Sequence, residues 1–128
     1  TKAMDENDFE KAVAEITERD NRFAPAAYVF ISGALTETAR RLGRSRKSPV
    51  KQRHISGQEL AEGAADFAEE QFGALAYSVL REWGVKTTRD IGDIVFNLID
   101  VGIFSKTEED SIHDFDNVFD LRSRLFKK

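Results

Sequence analysis

Hydrophobic residues return at helical spacing in five stretches of the chain, and the polar residues between those stretches mark the helix ends. In DFEKAVAEITERD, Phe9, Val13 and Ile16 share one face, Glu10, Lys11 and Glu15 lie off it, and Asp8 is placed to cap. In APAAYVFISGALTETARRLG, Pro25 suits a first helical turn, and Tyr28, Ile31, Leu35, Ala39 and Leu42 form a stripe that Gly43 ends. Ser56 and Glu59 stand at capping-box spacing ahead of Leu60, Ala64, Phe67, Phe72, Leu75, Val79 and Trp83. Gly73 interrupts that run, which predicts two helices joined near Phe72. Thr87 and Asp90 repeat the capping-box spacing before Ile91, Ile94, Val95 and Leu98, with Gly102 as the stop and Gly92 permitting a close crossing.

Beyond Gly102 the period changes. IFS and NVFDL are short β-favouring runs separated by the acidic, turn-prone KTEEDSIHDFD, and they predict a small antiparallel ribbon. Asp120 is placed to cap a last turn in which Leu121 and Leu125 pack back at i and i+4. The expected architecture is one mainly α (α+β) domain over residues 1–128. It has about five helices around a helix-turn-helix-like core and a C-terminal β-ribbon, and is winged-helix-like. Residues 1–4 read as a disordered or cloning-derived start, and residues 43–55 as a connector long enough to be either functional or mobile.

Composition narrows the chemistry. With 128 residues, 41% hydrophobic content and ten Phe, the chain can fill one core. The lack of Cys removes disulfides, thiolate zinc sites and thiol nucleophiles together. No apolar run approaches the ~20 residues of a membrane span, and the start has no apolar core of the secretory kind, so the expected location is cytoplasmic, away from membranes.

The blocks HISGQEL, EQFG, WGV, DIVFNLIDVG and SKTEEDS, in this order and spacing, resemble a small bacterial hypothetical-protein family. The similarity extends back through FEKAVAEI and RFAPAAYVF and covers about nine tenths of the sequence. That family has no established activity, so the resemblance implies a single bacterial domain and supplies no substrate, cofactor or catalytic residue.

Charge is segregated. RRLGRSRKSPVKQRH, residues 40–54, holds Arg40, Arg41, Arg44, Arg46, Lys47, Lys51 and Arg53 and no carboxylate; a formal charge of −4 for the chain leaves −11 on all other residues. These seven cations are the candidate contacts for a partner or for phosphates. No aromatic lies among them on which a base could stack. The would-be recognition helix shows Arg89 against Asp90, Asp93 and Asp100, beside Asn97. The would-be wing adds Glu108, Glu109, Asp110, Asp114 and Asp116. Such a surface repels phosphates, which argues against ordinary winged-helix DNA reading.

Candidates for catalysis are sparse. His54 has basic neighbours, and His113 lies among carboxylates, where a titrating surface residue is the plainer reading than a metal ligand. DFDNVFD places Val118 and Phe119 where a calcium loop needs an oxygen ligand and a Gly, so it fails as an EF-hand. Glu59, Glu62, Glu69 and Glu70 read as helix-surface groups, and no GxGxxG, P-loop or GxSxG occurs. Tyr28, Phe67, Phe72 and Trp83 fall on apolar stripes and belong to a core; Tyr77 and Phe96, if exposed beside Phe30, would make an apolar patch. The expected function is a non-enzymatic interaction or adaptor domain without cofactor or metal, using the basic loop and an acidic C-terminal surface toward a protein partner or a second copy. The alternative is a winged-helix-like nucleic-acid binder working through the connector. An enzyme ranks third, since it needs a pocket with converging polar groups.

Overall fold

The computed structural model describes residues 6–44 and 54–125. Six α-helices follow in order: α1 (Glu6–Arg19), α2 (Pro25–Arg41), α3 (Gly57–Phe72), α4 (Ala76–Glu82), α5 (Thr88–Asp100) and α6 (Leu121–Leu125). Single 3-10 turns at Gly73–Leu75 and Ile112–Phe115 complete the set. α2 lies along α3 and also touches α5 and α1; α3 reaches α4, α5, α6 and the Ile112–Phe115 turn.

The local chemistry explains these limits. Both predicted capping boxes form: the Glu59 N–H donates to Ser56 Oγ at 3.1 Å while the Ser56 N–H donates to Glu59 at 2.9 Å. Thr87 and Asp90 exchange the same pair of bonds at 3.1 Å each. Pro25 opens α2, and Gly73 divides α3 from α4. Asp8 lies inside the first turn of α1 rather than at its cap.

In α2 the buried face is not the predicted stripe. Ala27, Phe30, Ala34 and Thr38 are buried with Tyr28 and Ile31, while Leu35 and Ala39 are half-buried and Leu42 is 43% exposed. Small residues turn inward because α2 and α3 approach closely at Gly63, where an added Cβ would overlap the Thr38 hydroxyl. Phe30 stacks against Phe67, Phe72 and Trp83 at centroid distances of 5.2, 5.9 and 5.6 Å. With Phe30 buried and Tyr77 and Phe96 half-buried, the apolar patch considered for these three does not form.

The C-terminal ribbon and the winged-helix-like fold are overturned. No strand occurs among the described residues, and the domain is all-helical there. The β-favouring runs lose their ladder donors to helix ends. Gly102 adopts φ +81°, which turns the chain back so that the N–H groups of Ile103 and Phe104 both reach the Leu98 carbonyl, at 2.9 and 3.2 Å. In the second run, Asn117 has φ 50° and the Val118 N–H donates to Thr88 Oγ1 at 3.2 Å, so neither residue is free to pair with another strand. Between them, Ser111 caps a 3-10 turn instead of leading a hairpin.

Phe115 holds this segment down. It is buried between Gly57 of α3 and Gly92 of α5. The Thr88 hydroxyl donates to the Phe115 carbonyl at 2.7 Å. The close crossing expected at Gly92 is therefore made by an aromatic ring from the 3-10 turn.

Candidate functional site

Folding the 103–115 segment across the ends of α3 and α5 leaves a groove of about 590 Å³. α2 supplies Leu35 and Ala39, α3 supplies Leu60, α5 supplies Val95, Phe96 and Ile99, and the segment supplies Ile103, Phe104 and Phe115. The volume is within the range of natural ligand sites. Its floor is apolar because α5 ends in a run, Ile94 to Ile99, with more apolar residues than one buried face can hold. Ile94 and Leu98 go to the core, while Phe96 and Ile99 stay half-buried at the groove.

The polar rim is largely committed to the fold. His54 Nε2 lies 2.8 Å from Asp110 Oδ1, joining the start of α3 to the segment. The other Asp110 oxygen accepts from the Thr107 N–H at 2.8 Å and from its hydroxyl at 3.2 Å. Asp114 accepts from the Ser111 N–H at 3.0 Å, and Ser111 Oγ accepts from the His113 N–H at 3.1 Å. Ser56 is engaged in its capping box. Polar groups are present at the mouth, but these ones are already satisfied within the chain.

The described basic residues are also paired. Arg40 and Arg41 both bond to Glu37, one turn back on α2, and Arg41 also reaches Glu70 of α3. Arg44 donates to Glu59 at 2.6 Å and to the His54 carbonyl at 2.9 Å. Hydrogen bonding from Arg44 holds the Glu59 carboxyl below the usual carboxylate range. Arg46, Lys47, Lys51 and Arg53 lie outside the described residues.

The acidic face of α5 forms a network that no single stretch of sequence announces. Arg22 binds Asp20 in bidentate fashion at 2.9 and 2.8 Å and reaches Asp93 at 2.9 Å. Arg89 bridges Asp93 at 3.2 Å and Asp116 at 2.8 Å, and Asp116 meets His113 Nδ1 at 3.0 Å. Asn97 donates to Asp20 and to the Tyr28 hydroxyl at 3.0 and 3.1 Å. The guanidinium of Arg22 holds the Asp20 carboxyl well below its ordinary range, and burial pushes the Tyr28 hydroxyl up. Arg89, Asp93 and Asn97 were readable as one i, i+4, i+8 ridge; their partners on distant parts of the chain were not.

Among the described residues no cluster of three or more His, Asp or Glu side chains could hold a metal ion, and no helix is long and apolar enough to cross a membrane. No family model, curated protein or solved structure matches the chain.

Proposed function

We propose that this chain is a non-enzymatic interaction domain of the bacterial cytosol, and that it holds an apolar segment of a partner protein in the groove between α2, α5 and residues 103–115. One observation carries the reading: an apolar floor stays accessible while the named polar groups of the rim are bonded within the chain. Small-molecule and catalytic sites depend on a few polar groups left free to fix and polarise the ligand. A floor that offers area without such groups suits side chains from another protein, where burial supplies the affinity. Arg40, Arg41 and Arg44 enter this proposal as groups that tie the end of α2 to α3, because each is bonded to a carboxylate there or nearby.

Site-specific photocrosslinking in cells tests the reading. A crosslinking residue placed at Ser105, on the groove rim, is expected to give a discrete protein adduct, whereas one at Glu10, exposed on α1, gives none. Adducts indistinguishable between the two positions would overturn it.

A further inference from the structure

We infer that the occupant of the groove is a basic amphipathic helix of a partner protein, seated with its apolar stripe on the floor and its cations toward residues 106–114. This rests on the interaction-domain reading and adds the partner's chemistry to it.

Shape and charge select that chemistry. Peptide recognition by strand addition needs a sheet edge, and no strand exists among the described residues. The floor is instead built from α2, α3 and α5, a setting suited to the helix-in-groove mode, whose anchors recur at i, i+3, i+4 and i+7. Beside this floor, residues 106–114 carry one lysine against Glu108, Glu109, Asp110 and Asp114. Asp110 is paired with His54, and Asp114 closes the 3-10 turn, but Glu108 and Glu109 are exposed. The nearby Arg44 gives the opposite sign no hold, since Glu59 offsets it. The mouth therefore carries a negative field next to apolar area. A helix bearing Lys and Arg beside a Leu or Ile stripe complements both features, and an acidic one is repelled.

Three labelled synthetic helices with the same Leu stripe and polar faces of Lys, Gln or Glu provide the test, titrated against the whole chain by fluorescence anisotropy at low and high salt. The Lys helix is expected to bind about tenfold or more tightly over the Glu helix at low salt, with the gap shrinking as salt screens it. The double variant E108Q/E109Q, on exposed positions that leave the fold intact, should narrow the gap several-fold. Equal binding of the Lys and Glu helices, or a preference for Glu, overturns the inference and leaves the groove reading standing. Failure of all three to bind overturns both. So does Lys-helix binding unchanged by both L35Q and F104A, two floor variants on separate elements, each checked for a native circular-dichroism spectrum.

Discussion

The Phe115 ring lies against the bare Cα of Gly92, so that a Cβ added there would come within 2.7 Å of both the Phe115 Cβ and its ring. This contact decides where the 103–115 segment goes, because the ring can sink between α3 and α5 only if nothing projects from α5 at that point. G92A is accordingly expected to destabilise the domain by about 1–3 kcal/mol, even though Ala is intrinsically better than Gly inside a helix by about 1 kcal/mol. Urea unfolding of the two proteins measures it, and a G92A chain as stable as the parent would show that the ring is not wedged there.

The helices were legible because their signals are local. Ser56 with Glu59, Thr87 with Asp90, and the break at Gly73 each act within one or two turns, and each forms as read. What failed depended on distant partners. IFS and NVFDL have β propensity, but propensity is a preference for a pleated, half-buried surface, and none is on offer once Leu98 and Thr88 take the backbone donors. The inward face of α2 was misjudged for a similar reason. Only the approach of Gly63 on α3 makes Ala34 and Thr38 better core residues than Leu35 and Leu42. The groove itself was invisible because it is made from residues that read as ordinary stripe members until the segment crosses them.

Thr88 is the polar counterpart of the Phe115 wedge. Its buried hydroxyl donates to the Phe115 carbonyl and accepts from the Val118 N–H, so it satisfies one backbone acceptor and one donor across a chain reversal. T88V keeps the volume and strands both groups, with an expected cost of about 1–3 kcal/mol. T88S should recover most of that loss. The same denaturation series reads both variants, and a T88S as unstable as T88V would assign the effect to the lost methyl group instead.

Stability should fall in acid through the α5 network. Asp20 has a depressed folded pKa, chiefly from its hydrogen bonds with Arg22, and Asp116 is lowered by His113 and then Arg89. A group of this kind stabilises fully above its unfolded pKa, near 4, and its contribution disappears as pH falls through the lower folded value. The denaturation midpoint is expected to be flat near neutrality and to drop below about pH 4. D20N cannot be protonated at this site, so it starts less stable at pH 7 and declines less steeply in acid. Parallel acid limbs for D20N and the parent would remove Asp20 from the account.

The Thr38 hydroxyl is buried with no hydrogen-bond partner, in the place where a side chain on Gly63 would have to go. An orphaned buried hydroxyl costs about 1–3 kcal/mol, comparable to the methyl packing that Thr38 contributes. T38A is therefore expected to be close to neutral, where deleting a buried methyl alone would be clearly destabilising. G63A should cost about 1–3 kcal/mol by forcing α2 and α3 apart. In the T38A background the overlapping hydroxyl is gone, so G63A should cost less, with a coupling of about 0.5–3 kcal/mol in the double-mutant cycle. Strict additivity of the two changes would mean that the helices separate at no expense to Thr38, and that the close α2–α3 approach does not set which face of α2 is buried.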